Sequence, residues 1–204
     1  MSFAARSSFS AVRRSQQLTR LRRLQPSLKD RPVQVRTKAK LPPLSDRDYK
    51  LYNRLAEQMD MYHNYFRQSW NMLYKSCEAG KRANGQSIRA FLNTGLQFCE
   101  HLEFHHGIEE AKVFPMLGRK MPAFRNKDEL LGQHKQIHKG LDKMQKYVVE
   151  CDSGERELRL SELKEIMDSF GKVLWEHLDD EVRTLGAENM RTFWTKEEMQ
   201  RLYL

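Results

Sequence analysis

Seven histidines occur in this 204-residue chain, and five of them, His63, His105, His134, His138 and His177, fall on four amphipathic stretches. Two are followed one helical turn later by carboxylates, Glu109 and Glu181. Residues i and i+4 share a face of an α-helix, so His105/Glu109, His134/His138 and His177/Glu181 can each aim two donor atoms at one point. Imidazole and carboxylate together suit iron, manganese or zinc. A lone histidine on an apolar face, such as His63, is more often a hydrogen-bonded core residue than a ligand. The conjunction points to metal, because a bundle interior containing all of these groups is costly to bury unless they share a partner.

The second stretch reads His101, His105, His106, Glu109 and Glu110, more donors than it can use. His105 and Glu109 share a stripe with Cys99, Leu102 and Val113 and are the expected ligands. His106 and Glu110 form a parallel pair about 100° round the helix. Together with His101 they are expected to surround the ligands or face solvent.

Four helices must position these groups. Pro42 and Pro43 end an irregular segment, and Ser45 followed by Asp48 predicts a capped start to a helix over 46–78. Its stripe runs through Leu55, Met59, His63, Phe66, Trp70 and Leu73. After a turn at Gly80, Asn84 and Gly85, a second helix is predicted from Ser87 to Phe114, ended by Pro115. Asn126 with Glu129 caps a third helix reaching Glu150, with Leu130, His134, Ile137, His138, Leu141 and Val148 inward. Asp152, Ser153 and Gly154 close it. A fourth runs over 157–185 through Leu163, Ile166, Phe170, Leu174, His177 and Glu181, and Gly186 stops it. Thr195 and Glu198 predict a short C-terminal helix, with Trp194, Met199 and Leu202 packing back. Five glycines, Gly95, Gly107, Gly132, Gly140 and Gly171, fall inside helices at about 1 kcal/mol each relative to Ala, and such positions allow close helix approach. Short connections favour antiparallel neighbours. Counted at ~1.5 Å per residue from the helix ends, the candidate ligands then reach one level to within a turn or two. The expected fold is all-α: an up-down-up-down four-helix bundle over 44–204, with a short C-terminal helix and a disordered basic N-terminal tail.

The net charge of +9 suggests nucleic acid until it is located. Residues 1–40 carry +10 and the remainder −1, so the folded part offers no surplus of cations to track phosphates. The tail is rich in Arg and Ser and poor in acids, the composition of a mitochondrial transit peptide, and a matrix location is expected. The other reading is a basic arm that stays attached in a cytoplasmic protein. No stretch reaches eighteen uninterrupted apolar residues, so stable membrane insertion is not expected. Cys77, Cys99 and Cys151 are widely spaced without a CxxC, which predicts buried free thiols in a reducing compartment.

At HHGIEEAKVFP (105–115), HKQIH (134–138) and HLDDE (177–181) the chain resembles the hemerythrin-like family, also called the HHE cation-binding domain. With His63 in the place of the first-helix ligand, the resemblance covers about 46–185. It implies a non-haem centre of two iron ions. His134, His138 and His177 would hold one iron and His63 and His105 the other, with Glu109 and Glu181 bridging. One departure bears on oxygen carriage more than on metal binding: carrier proteins place the last carboxylate five residues after its histidine, where this chain has Val182. Glu181 at +4 must serve, with Asp180 a lesser candidate. The ferritin-like alternative needs two ExxH motifs, whereas here Glu103/His106 is the one ExxH and Asp60/His63 a DxxH. It leaves three histidines unexplained. No HExxH is present, which excludes a zincin. A structural zinc bundle would leave donors spare.

These residues imply binding rather than catalysis, of dioxygen or nitric oxide at an open iron position. Apolar neighbours one turn from the ligands, Met59, Phe66, Leu102, Leu141 and Leu174, favour reversible binding. A redox enzyme acting on peroxide or nitric oxide would need a proton donor, for which Tyr62, Tyr65 and Asp60 are candidates. Iron storage or sensing is the third possibility.

Overall fold

The computed structural model describes residues 41–83, 85–125 and 127–202, with the side chains of 127–129 excepted. The basic tail of residues 1–40 and the expected Asn126/Glu129 cap lie outside what is described. The described chain is all-helical, with no strand among the described residues.

Helix α1 spans Asp46–Glu78. The Ser45 hydroxyl accepts from the Asp48 amide at 3.2 Å, and Asp46 and Asp48 set negative charge against the positive end of the helix dipole. All six residues of the expected stripe are buried. Gly80, with φ 61°, turns the chain beyond the end.

Helix α2 spans Ile88–Ile108, with Ser87 accepting from the Ala90 amide. It does not stop at Pro115. A π-helical turn over Glu109–Val113 carries it into α3, Phe114–Leu117, and the Phe114 amide donates to the Glu109 carbonyl, one residue further back than in an α-helix. The widened turn makes room for the proline ring, which then sits in the first turn of α3, where its missing N–H costs nothing. A short helix α4, Pro122–Arg125, stands where a loop is predicted, and again begins with its proline.

Helix α5 spans Lys127–Asp152, and Gly154 turns the chain with φ 80°. Helix α6 spans Leu160–Thr184, starting three residues later than predicted. The cause is Tyr147. Its buried hydroxyl accepts from the Arg159 N–H at 2.8 Å and donates to the Arg159 carbonyl at 2.9 Å, holding that residue extended. Gly186 begins a further turn, α7, Ala187–Met190. The predicted capping box of Thr195 and Glu198 starts α8, Lys196–Met199.

Helix α1 packs on α2 and α6, and α5 packs on the same two helices, so the four long helices close a ring. Two apolar clusters fill it. One gathers Trp70, Phe98, Leu141 and Phe170, among others. The second gathers Tyr52, Leu55, Met121, Met190, Trp194 and Leu202, and the Tyr52 hydroxyl fastens the C-terminal segment by donating to the Trp194 carbonyl at 3.1 Å. The three cysteines are buried thiols, and burial pushes Cys99 up to about 12. No described helix is long and apolar enough to cross a membrane.

Candidate metal centre

Each long helix passes from one apolar cluster to the other through a polar step. On α1, His63 lies between Met59 of the second cluster and Phe66 of the first. On α5, His134 lies between Leu130 and Ile137. On α2, His105, His106 and Glu109 separate Leu102 from Val113, and on α6, His177 and Glu181 fall between Leu174 and Leu185. The helices therefore bring their polar residues to one layer.

Within that layer two sets of donors converge, each with its ligand atoms within 4.8 Å of one another: His106, Glu109, His134 and His177, and His63, His105, Glu109 and Glu181. The carboxylates join the sets. Glu109 Oε1 lies 2.8 Å from His105 Nε2, and its Oε2 lies 3.5 Å from His134 Nε2. Glu181 Oε2 lies 3.6 Å from His63 Nε2 and 3.7 Å from His177 Nε2.

Three imidazoles are oriented from behind. His63 Nδ1 donates to the Leu178 carbonyl at 2.9 Å, His134 Nδ1 to Glu110 at 2.8 Å, and His177 Nδ1 to Gln133 Oε1 at 3.2 Å. A proton fixed on Nδ1 leaves the Nε2 lone pair of a neutral ring facing the layer, the usual arrangement of metal-binding histidine. The Nε2 atoms of His63 and His105 are 3.2 Å apart, and those of His134 and His177 are 3.3 Å apart. Two nitrogens bonded to one ion at ~2.1 Å and about 100° would stand roughly that far from each other.

Electrostatics favour a cation. Burial and neighbouring imidazoles hold His63 down to about 3 and His106 and His177 well below their ordinary value. Burial pushes Glu109 up to about 8, and burial with the Glu109 charge holds Glu181 well above the carboxylate range. Both ring nitrogens of His106 and all four oxygens of Glu109 and Glu181 are buried without a hydrogen-bond partner. Polar atoms are rarely left so, and metal ions in this layer would satisfy the carboxylate oxygens and one ring nitrogen of His106. The donor set fits the group.

Residues 54–187 match the hemerythrin HHE cation binding domain. The chain belongs to that family. It is also 27% identical over 155 residues to the dimeric xanthone biosynthesis cluster protein R11 of Cryptosporiopsis sp. (strain 8999), a match covering 71% of this chain. The matched region spans 56% of that relative's length. No solved structure matches.

Six of the seven residues assigned through the hemerythrin resemblance meet in the two sets, and His138 does not. It is half-buried on α5, its ring centroid 5.2 Å from His106 and 6.4 Å from His134. His106 stands with His134 and His177 instead, its ring stacked on His134 at 3.9 Å. His106, expected to surround the ligands or face solvent, is fully buried, and its ring nitrogen lies among the donors of the first set. The sequence held a signal. On a helical wheel Glu109 falls about 40° past His105 and about 60° short of His106, so a carboxylate between two imidazoles suits a helix that faces two positions. Glu110, also expected near the ligands, orients His134, and His101 is exposed with its Nδ1 3.2 Å from the Tyr65 hydroxyl. Asp180 pairs with Arg183 on the outside.

Proposed function

We propose that the four long helices form an up-down-up-down bundle that holds two iron ions and binds a small ligand such as dioxygen or nitric oxide. One ion would be held by His106, His134 and His177, the other by His63 and His105, with Glu109 and Glu181 shared. The reach of each carboxylate to imidazoles of both sets is the observation that carries this reading. When bound, ferrous iron supplies an oxidisable centre with a position open to a diatomic molecule. The ligand would enter beside His105, whose side chain is 12% exposed while those of His63, Glu109, His134, His177 and Glu181 are 0–1% exposed. The buried Met59, Phe66 and Leu102 lie beside that approach and make it apolar.

Metal analysis and an absorption spectrum of protein purified without a chelating tag test the proposal. Two irons per chain and a band that changes reversibly with oxygen are expected. A folded preparation that takes up no transition metal, or holds one ion per chain with the second set empty, overturns it.

One observation favours a redox enzyme acting on peroxide or nitric oxide. Tyr62 stands with its ring 5.8 Å from that of His105, whereas Asp60 is turned to Arg67 and Asn64. Turnover of peroxide in the presence of a reductant, lost in Tyr62→Phe, distinguishes this reading. The composition of residues 1–40 supports delivery to the mitochondrial matrix, tested by the location of a fluorescent fusion with and without them.

A further inference from the structure

Between α1 and α2 lies a cavity of about 480 Å³ that ends on His105 and Glu109. A diatomic molecule needs on the order of the ~30 Å³ that one water occupies. The cavity has the size of an organic ligand site. Its lining is largely aromatic: Tyr62 and Tyr65 from α1 and the exposed Phe104 from α2, with the buried Phe66 deeper. Phe104 is 72% exposed, and Tyr62, Tyr65 and Ile108, which line the same cavity, are exposed as well. The cleft descends from this rim to Met59 at 2% and Glu109 at 1% exposure, deeper than a flat protein surface would follow. A single cation, Lys112, lines it, and among the described residues that ammonium makes no ion pair.

We infer that this cleft binds a planar aromatic molecule bearing one negative charge, its rings between Tyr62, Tyr65 and Phe104 and its charged group at Lys112. Aromatic faces reward a flat ring with offset or edge contacts, and the unpaired ammonium at the mouth selects an anion over a neutral analogue. The occupant would then lie against His105, on the accessible side of the metal layer. The inference builds on the di-iron reading for what lies at the floor, but binding itself does not require metal.

Naphthoate and the neutral naphthamide serve as probes, titrated by calorimetry into the full chain as purified, with iron content measured on the same preparation. One naphthoate per chain is expected. Lys112→Ala should weaken naphthoate roughly three- to fivefold and leave naphthamide unchanged, and Phe104→Ala should weaken both roughly fivefold. Both side chains are exposed, so the fold should be indifferent to either change. Absence of saturable binding overturns the inference, as does binding that neither substitution alters, or a concentration-dependent dimer that Phe104→Ala dissolves. Naphthoate binding in a chain that never takes up iron supports the cleft and removes the di-iron reading. Iron without naphthoate binding does the reverse.

Discussion

Glu109 is the side chain on which the two donor sets depend, and its behaviour separates metal binding from packing. Without metal its carboxyl is pushed up to about 8, mainly by burial, so at neutral pH it is a neutral acid. Glu109→Gln copies that neutral shape and removes a charged ligand. Metal-free stability should change by less than about 1 kcal/mol, while iron content and iron-dependent stabilisation are lost. Melting curves with chelator and with ferrous iron, beside metal analysis, check both halves; full iron in the variant would remove Glu109 from the centre. The same carboxyl fixes a pH dependence. The folded chain keeps a proton that the unfolded chain releases above 4.5, so this group's contribution to metal-free stability falls as pH rises from 4.5 to about 8. Loading displaces that proton and should tighten over the same range. His63, held down to about 3, offers no competition there, so calorimetry in two buffers should find protons released between pH 5 and 8. Most of the donor set was legible because residue type and i, i+4 spacing survive any detail of packing. The exchange of His138 for His106 was not, because a stripe assigns each helix one inward line, and this layer uses both flanks of α2.

Helix contacts in the first apolar cluster are set by two glycines whose close approach carries aromatic rings. A Cβ at Gly140 would stand 2.2 Å from Phe170 Cγ, and one at Gly171 would stand 2.8 Å from Trp70 Cζ2. Trp70 and Phe170 then meet edge to face with centroids 5.1 Å apart. Gly140→Ala must push Phe170 out of its seat and should cost ~1–3 kcal/mol by overpacking. Gly107, with nothing within 4 Å of the same position, should gain up to about 1 kcal/mol on replacement by Ala. Urea midpoints moving in opposite directions test the pair, and a neutral Gly140→Ala would show that the seat is loose. Both glycines read alike in the sequence, since a pattern shows a helix interior and not what lies across from it. The same limit explains the ends that moved. Pro115 is a stop signal overridden by a π-helical turn, and the delayed start of α6 depends on a tyrosine twelve residues away in sequence. Capping at Ser45, Ser87 and Thr195, by contrast, involves neighbours three residues apart and was readable in place at two of the three.

Across the whole bundle, a polar layer divides two apolar clusters of unequal construction. The first is walled by the four long helices. The second draws on α3, α4, α7 and α8, each four residues long, and such helices are not stable alone. The C-terminal segment around α8 is held to α1 by the Tyr52 bond to Trp194, the Arg54 bond to the Met199 carbonyl at 2.7 Å and the Lys196–Asp48 pair at 2.6 Å. The layer between the clusters contains unpartnered carboxylate oxygens and neutral imidazoles, so without a cation it contributes burial cost and little cohesion. Two ions, one held by residues of α2, α5 and α6 and the other by residues of α1, α2 and α6, would convert that seam into a tie. Chelation should therefore release the cluster built from short helices before the other. Hydrogen exchange should speed up at least tenfold in α3, α7 and α8 on metal removal, while amides of α1 and α6 beside Trp70 and Phe170 stay protected. Equal protection throughout, with and without metal, would mean that apolar packing alone unites the two clusters. Counting along the helices put the candidate ligands near one level, and six of the seven lie in one layer; its mechanical role comes from the short helices at one end, whose weakness makes the fold depend on its centre.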